Sequence, residues 1–259
     1  ETESIYLRAR YYNPANGRFT TEDPARDGLN WYAYCDGNPV GFVDPSGLKM
    51  KVSKVDTKEG EDLLFNYLQE LTDDRLYRDE KTGLIKYDMA TEMTKPKGTC
   101  LVRELIDSDV MVRVVRTKWE SREKGFHSND GKNTLTTVVV RLNIDSEFEY
   151  ISKDYYTGEV AEIVCPKYIT LGHELIHGYM EIMGIPAVTK AVEYATYEND
   201  ENSEGAYIKC TKKKAVNELK TVGIGFMDTY DGKYVKPLDF KYTENALRLE
   251  HKIGPRIRY

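Results

Sequence analysis

Cysteine and histidine are scarce in this chain, and neither a long apolar run nor a surplus of positive charge is present. The four cysteines, Cys35, Cys100, Cys165 and Cys210, lie far apart with no CxxC spacing. Free thiols are therefore expected rather than a disulfide framework, because 259 residues can bury a core without one. The best apolar patch, Val138-Val139-Val140, is strand-sized. Crossing a bilayer takes about 20 apolar residues, so no stable membrane insertion is expected. The start of the sequence has no signal-peptide pattern. With 37 Lys+Arg against 43 Asp+Glu the net charge is −6. Phosphate contacts need a basic face, which argues against a nucleic-acid partner.

Against that background one stretch stands out, YITLGHELIHGYMEIMG at Tyr168–Gly184. Its centre, His173-Glu174-Leu175-Ile176-His177, is an HExxH pattern. Residues four apart share a helix face, so His173 and His177 can offer two imidazoles to one Zn2+ ion. Glu174, one step round from His173, can take a proton from a water at the metal. Leu171, Leu175, Ile176 and Ile182 form an apolar stripe, Thr170 is the expected N-cap, and Gly184 followed by Pro186 is a stop signal. With four His in the chain, the pattern would arise by chance in well under ~1% of such sequences, which favours a metal site. A catalytic zinc needs a third protein ligand and an open position. Glu218, on a helix predicted over Lys212–Val222 and ended by Gly223, is a candidate. Glu181, Glu193, Glu204, Asp228 and His251 are its rivals.

The rest of the chain reads as two compositions. Residues 1–48 are rich in tyrosine and turn signals. Tyr6–Tyr12 alternates bulky and polar residues as a strand does, Asn13-Pro14 and Asn16-Gly17 make a turn, and Arg18-Phe19-Thr20 a second strand. Asp23-Pro24, Asn38-Pro39 and Asp44-Pro45-Ser46-Gly47 are further turns. Too few apolar residues occur here for an independent core, so the segment is expected to be the end of a longer protein.

From Lys49 the sequence is mixed and charged. Val52–Asp56 is a short predicted strand. Leu63, Leu64, Tyr67, Leu68 and Leu71 give Glu61–Leu71 the spacing of an amphipathic helix. Lys81–Lys97 reads as turn and loop. The β-branched runs Met111–Trp119 and Thr134–Ile144, joined by the polar loop SNDGKN, predict a hairpin. Strands of this kind ahead of an HExxH helix suit a zincin, whose edge strand can align a peptide. Ala187–Tyr207 reads as an acidic loop walling a cleft, and Thr243–His251 as a helix capped by Thr243. His127 is expected in an exposed loop, and Cys165 as a buried thiol.

Two resemblances bear on these segments. YLRARYYNPANGRFTTEDP and LNWYAYCDGNPVGFVDPSGL, within residues 5–48, resemble the C-terminal end of the core of Rhs, or YD-repeat, proteins. That resemblance implies a hollow β-shell enclosing a toxin, with aspartate-dependent self-cleavage at the DPxGL motif. Asp23 and Asp44 would be the catalytic aspartates and the cut would follow Leu48. Asp27-Gly28-Leu29 departs from the Gly-Gly pair often found there. Secondly, HELIHGYM, NELKTVG, Thr243-Glu244-Asn245 and Arg256-Ile257-Arg258-Tyr259 resemble the clostridial neurotoxin light chains and related secreted effector zinc peptidases. This resemblance implies Glu218 as the third ligand, Glu244 as the residue orienting His177, and Arg256 and Tyr259 as donors to the oxyanion. Asn217 stands where that family often has a supporting Glu.

Together these features predict an α+β zincin-like domain over residues 49–259 behind a β-rich Rhs tail over 1–48. The expected activity is zinc-dependent endopeptidase cleavage of a protein in a target cell, after export by a bacterial secretion system. Implied partners are that protein substrate, the remainder of the Rhs shell and a cognate immunity protein. A zinc amidase acting on a non-peptide or cell-wall amide, or an inert binding module, are the alternatives.

Overall fold

The computed structural model describes residues 4–7, 10–22, 32, 50–53, 58–80, 82–108, 110–119, 121–127, 135–199, 207–227, 234–236 and 240–258. The chain opens with a three-stranded antiparallel sheet of β1 (Ile5–Leu7), β2 (Arg10–Asn13) and β3 (Arg18–Phe19). The strand predicted over Tyr6–Tyr12 is two strands, with Leu7 paired to Arg10. Alternation continues through the reversal, so the pattern gave no sign of it. The next turn is as expected: Gly17 N–H donates to the Asn13 carbonyl at 3.0 Å, and Phe19 is buried edge-on against Tyr12. Asp23, Asp44 and Leu48 lie outside the described residues.

A six-stranded sheet and the helices on it form the main core. In chain order the elements are β4 (Met50–Val52), α1 (Lys58–Glu70), β5 (Arg75–Arg78), β6 (Ile85–Asp88), α2 (Pro96–Ile106), β7 (Met111–Thr117), β8 (Arg122–His127) and β9 (Leu135–Asn143). The strand order is β5-β6-β4-β7-β9-β8, with β4, β7 and β9 parallel and the rest antiparallel to their neighbours. The two β-branched runs are therefore parallel neighbours rather than a hairpin, and β9 makes its hairpin with β8. A β-branched run reads the same whether its partner is parallel or antiparallel, so the pairing was not in the pattern. The edge strand β8, REKGFH, is polar as edges usually are, and so escaped notice. His127 ends β8, and the SNDGKN loop lies outside the described residues.

Period-two alternation turns Val112, Val114, Val138, Val140 and Leu142 into the core and leaves Arg113 and Arg141 off it. Leu64 and Leu68 from α1, Leu71 just after it, and Leu101 and Leu105 from α2 meet these strand residues, all five fully buried. Leu63, assigned to the same face of α1, is exposed instead. The short strand read at Val52–Asp56 begins earlier, at Met50, and 54–57 lie outside the described residues. Lys81–Lys97 is not all loop, since it contains β6 and the first residues of α2. A four-residue strand is defined by its partners more than by its own sequence, and α2 is capped from far away. Pro96 opens that helix, Lys95 supplies no side-chain cap, and the Glu250 carboxylate accepts the N–H groups of Lys97 and Gly98.

Acidic groups tie α2 to the turn after α1. Asp74, almost fully buried, takes a bidentate pair from Arg103, while Asp73 accepts the N–H groups of Thr94 and Lys95. Burial works against the charge on both carboxylates, but these donors hold their pKa values below the usual range. Asp79 is brought down to about 2 in the same way, burial being outweighed by hydrogen bonds from Thr82 and Lys86. A depressed carboxylate contributes stability above its unfolded pKa and loses it as pH falls through the folded value. The urea midpoint, measured with chelator present, should therefore fall steeply between about pH 4 and pH 2. Replacing Asp74 by Asn should flatten that limb. An unchanged limb would show that these carboxylates carry no linkage.

The second half comprises β10 (Glu149–Lys153), β11 (Val160–Val164), α3 (Lys167–Ile182), β12 (Ala191–Asn199), β13 (Tyr207–Ala215), α4 (Val216–Val222), β14 (Phe226–Met227), β15 (Tyr234–Val235) and α5 (Glu244–Glu250). Ala187–Tyr207 is not all loop: nine of its residues are β12, which pairs with β13 along its whole length. The helix predicted from Lys212 starts at Val216, because Lys212-Lys213-Lys214 completes β13. Val192 and Tyr194 of β12, Val216, Leu219 and Val222 of α4, and Phe226 of β14 make a second, small core. Thus α4 is held by its own hydrophobic cluster and can present a side chain towards α3. This mixture of helices and sheets is consistent with the expected α+β class, and among the described residues no helix is long and apolar enough to cross a membrane.

Candidate metal centre

The helix α3 is buried almost throughout, which explains why its sequence is apolar on more than one face. It starts at Lys167 behind Pro166, three residues before the predicted cap. Thr170 is therefore not the N-cap: it sits in the first turn and turns its hydroxyl to the Cys165 sulfur at 3.7 Å. The helix stops at Ile182, just before Gly184 as expected. Leu171, Leu175 and Ile176 are fully buried and fix the rotation of the helix on the sheet. That rotation sends His173 and His177 towards α4.

There the two Nε2 atoms lie 3.2 Å apart, and the Glu218 carboxylate is 3.6 Å from His173 Nε2 and 3.5 Å from His177 Nε2. Among the described residues, His173, His177 and Glu218 are the one group of this kind that could hold a metal ion. Of the rivals, Glu193 pairs with Lys213 on the outside of the hairpin and His251 packs against Tyr168. Glu204 and Asp228 lie outside the described residues.

Each imidazole is oriented from behind. His173 Nδ1 faces Glu244 Oε2 at 2.9 Å, so its N–H donates there and Nε2 is left to coordinate. The carboxylate of Glu244 thus serves His173 and not His177, as the resemblance had implied. His177 Nδ1 instead lies 3.4 Å from the hydroxyl of Thr221, which donates its own proton to the Asn217 carbonyl at 2.9 Å. Thr221 is fully buried one turn after Glu218 on α4. Its place was written in the NELKT spacing, but nothing in the sequence said which histidine it would meet.

Glu244 is the hub behind the centre. It is 1% exposed and accepts from Arg248 at 3.3 Å and Arg256 at 3.1 Å besides His173. Burial raises its pKa, but Arg256, the His173 hydrogen bond and Arg248 outweigh that and bring it to about 2. Burial also opposes charge on His173, yet Glu218 and Glu244 push its pKa up to about 9. For His177 burial prevails and the pKa is lowered. The pair therefore sits in a field that favours one positive charge between them, which a cation can supply.

The Thr243-Glu244-Asn245 element divides its work. The Thr243 hydroxyl caps α5 by accepting Ala246 N–H at 3.1 Å, as predicted. Asn245 grips the tail, accepting Arg256 N–H at 2.6 Å and donating to the Arg256 carbonyl at 2.9 Å. Gly223 ends α4 in a left-handed conformation, φ 85°, where a Cβ would lie 2.9 Å from Thr243. This contact couples the helix bearing Glu218 to the cap of the helix bearing Glu244.

The C-terminal tail runs antiparallel beside β10 through a single bridge at Arg256, with Lys153 N–H donating to Pro255 O and Ile257 N–H to Ile151 O, both at 3.0 Å. This pairing brings Arg256 under cover at 4% exposure, its guanidinium 3.5 Å from the centre of the Tyr150 ring. Arg248, marked in the sequence only by its place four residues after Glu244, is fully buried. It donates to Glu244, Ser152 Oγ and Gly254 O. At Gly254 a Cβ would fall 1.4 Å from the Lys153 carbonyl. Gly254→Ala should therefore lift the tail from β10, lower stability by about 1–3 kcal/mol and displace Arg256. Urea unfolding measures the first effect. A variant as stable as its parent would mean the tail is not closely packed.

Glu174 and His173 line a cavity with Tyr150, Cys165, Thr170, Glu244 and Arg256. Cys165 is the buried thiol expected, its pKa pushed up to about 11 chiefly by burial. Tyr259 lies outside the described residues. Of the predicted site residues, the structure brings His173, Glu174, His177, Glu218, Glu244 and Arg256 into one neighbourhood.

The tRNA nuclease WapA of Bacillus subtilis (strain 168) is 51% identical over 53 residues, covering 18% of this chain and 2% of that protein. The uncharacterized protein YibJ of Escherichia coli (strain K12) is 48% identical over 50 residues, 18% of this chain and 21% of that protein. The chain thus spans only a small part of the curated relatives it matches. No solved structure matches. The model of the M91 peptidases, described as effector protein, matches residues 72–259. That match covers most of the chain and includes every residue of the centre just described, so the protein belongs to the M91 peptidase family of effector proteins.

Proposed function

We propose that this chain is a zinc-dependent endopeptidase toxin of zincin type, residues 49–259, freed from an Rhs-type shell whose last piece is residues 1–48. The observation that carries it is the His173, His177 and Glu218 trio. Zinc bonds to nitrogen and oxygen of about 2.0–2.2 Å at tetrahedral angles place ligand atoms about 3.3–3.6 Å apart. The separations here are 3.2, 3.5 and 3.6 Å. Two imidazoles, each oriented by a neighbour, and one carboxylate are a donor set of catalytic rather than structural type.

Zinc bound there would supply Lewis acidity, polarising a peptide carbonyl and acidifying water. Glu174 would take the proton of the attacking water and return it to the departing amine. Glu244 and Thr221 hold His173 and His177 with Nε2 forward. Arg256 borders the cavity beside Glu174, where its positive charge favours negative charge developing on the carbonyl oxygen. Tyr259 is proposed as the second donor to that oxygen. Asp23 and Asp44 are proposed to cut the chain after Leu48, two carboxylates sharing acid and base roles.

The stretch shared with WapA is only 2% of that nuclease, so its nuclease activity is not carried over to this chain. The net charge of −6 and the family match favour peptide over nucleic-acid chemistry for this one. Delivery by a secretion system into a recipient cytosol, and a cognate immunity protein in the producer, follow from the same proposal. The test is mass spectrometry of new protein N-termini after adding the zinc-loaded chain to bacterial and animal-cell lysates. A small set of cuts confined to active protein supports the proposal. None in either lysate, with zinc bound, moves the activity to a non-peptide amide.

A further inference from the structure

The cavity beside Glu174 is lopsided with respect to the metal centre. His173 and Glu174 line it, but His177 and Glu218 do not, so it lies to the general-base side of the three ligands. Phe148 and Tyr150 lie parallel at 6.5 Å, and Ser121, Cys165 and Thr170 complete the rim. The wall is fixed: Cys165 N–H donates to Phe148 O at 2.8 Å, Ser121 Oγ accepts Asn143 N–H at 3.0 Å, and Arg256 covers Tyr150.

Resting on the endopeptidase proposal, we propose that this cavity is the specificity pocket for one side chain flanking the scissile bond, and that it selects a small uncharged residue of about valine or threonine size. Three observations set that choice. The free volume is about 90 Å3, well below the roughly 150 Å3 of an apolar cavity that takes up benzene. The wall presents aromatic carbon, a thiol and two hydroxyls. Of its charged lining groups, Arg256 is held by Glu244 at 3.1 Å and Glu174 is the proposed general base, so an incoming charged side chain would be desolvated there with no partner reserved for it. Position supplies the remaining argument. Glu174 must lie against the reacting carbonyl, so a pocket walled by Glu174 is within one side chain of it.

The test is cleavage-site mapping on a proteome-derived peptide library with the full zinc-loaded chain, its Glu174→Gln form as blank, and two widened variants, Phe148→Ala and the milder Cys165→Ala. One flanking position should favour Ala, Ser, Thr and Val over Phe, Lys and Glu by about 10-fold or more. Misfit by a single methylene in a closed pocket already costs about 10- to 200-fold. Widening should shift that position towards Leu and Met by about 10-fold in at least one of the variants. Glu174-dependent cleavage with a flat profile at both flanking positions, or a profile that neither variant moves, overturns the pocket and leaves the peptidase standing. Absence of any Glu174-dependent cleavage overturns both.

Discussion

Glu174→Gln is expected to bind zinc with the stoichiometry of the parent chain and to lose cleavage by about 10²–10⁴-fold, the usual worth of a positioned acid–base group. Gln has the size of Glu, and Glu174 is not one of the three proposed ligands. Glu174 is 8% exposed and faces the cavity, so the substitution changes proton transfer without emptying space. Metal content by mass spectrometry and initial rates on a peptide cut in the lysate experiment check the two halves separately. Bound zinc with near-parental rates would remove Glu174 from the mechanism. Lost zinc would mean that Glu174 supports the centre rather than serving as its base.

The second large effect is expected at Glu244. Glu244→Gln keeps the shape and can still accept from His173, but it leaves Arg248, fully buried, and Arg256, 4% exposed, facing a neutral amide. Removing one partner of a buried ion pair costs about 3–5 kcal/mol because the other charge stays uncompensated. The orienting bond to His173 weakens as well, and losing such a partner typically lowers metal affinity about 10–100-fold. Chelator competition and urea unfolding read the two effects. The double variant Glu244→Gln/Arg248→Met should recover part of the stability and none of the affinity. Zinc affinity equal to the parent's in a folded Glu244→Gln protein would show that His173 needs no orienting carboxylate.

The chemistry of the centre was legible because it is written at helical spacing. HExxH places two imidazoles on one face whatever the rest of the chain does, and Gly184 and Thr243 mark helix ends by backbone geometry that is local. The amphipathic α1 and the two β-branched strands were visible for the same reason, since periodicity is a property of each segment alone. What pairs with what was not. Parallel pairing of β7 with β9 brings together residues whose strands have a third strand between them in sequence. β6 and β12 are strands only because a neighbour completes their hydrogen bonds. Glu244 lies 71 residues beyond His173 and 67 beyond His177, and no local signal distinguishes those partners; only the packing of α5 against α3 chose His173. Sequence by itself determined which side chains could carry the reaction, because donor chemistry and spacing are local. The tertiary structure decided which group stands behind each ligand, and it buried Arg248 and Arg256 against a single carboxylate, because burial and opposing charge exist only after distant segments meet.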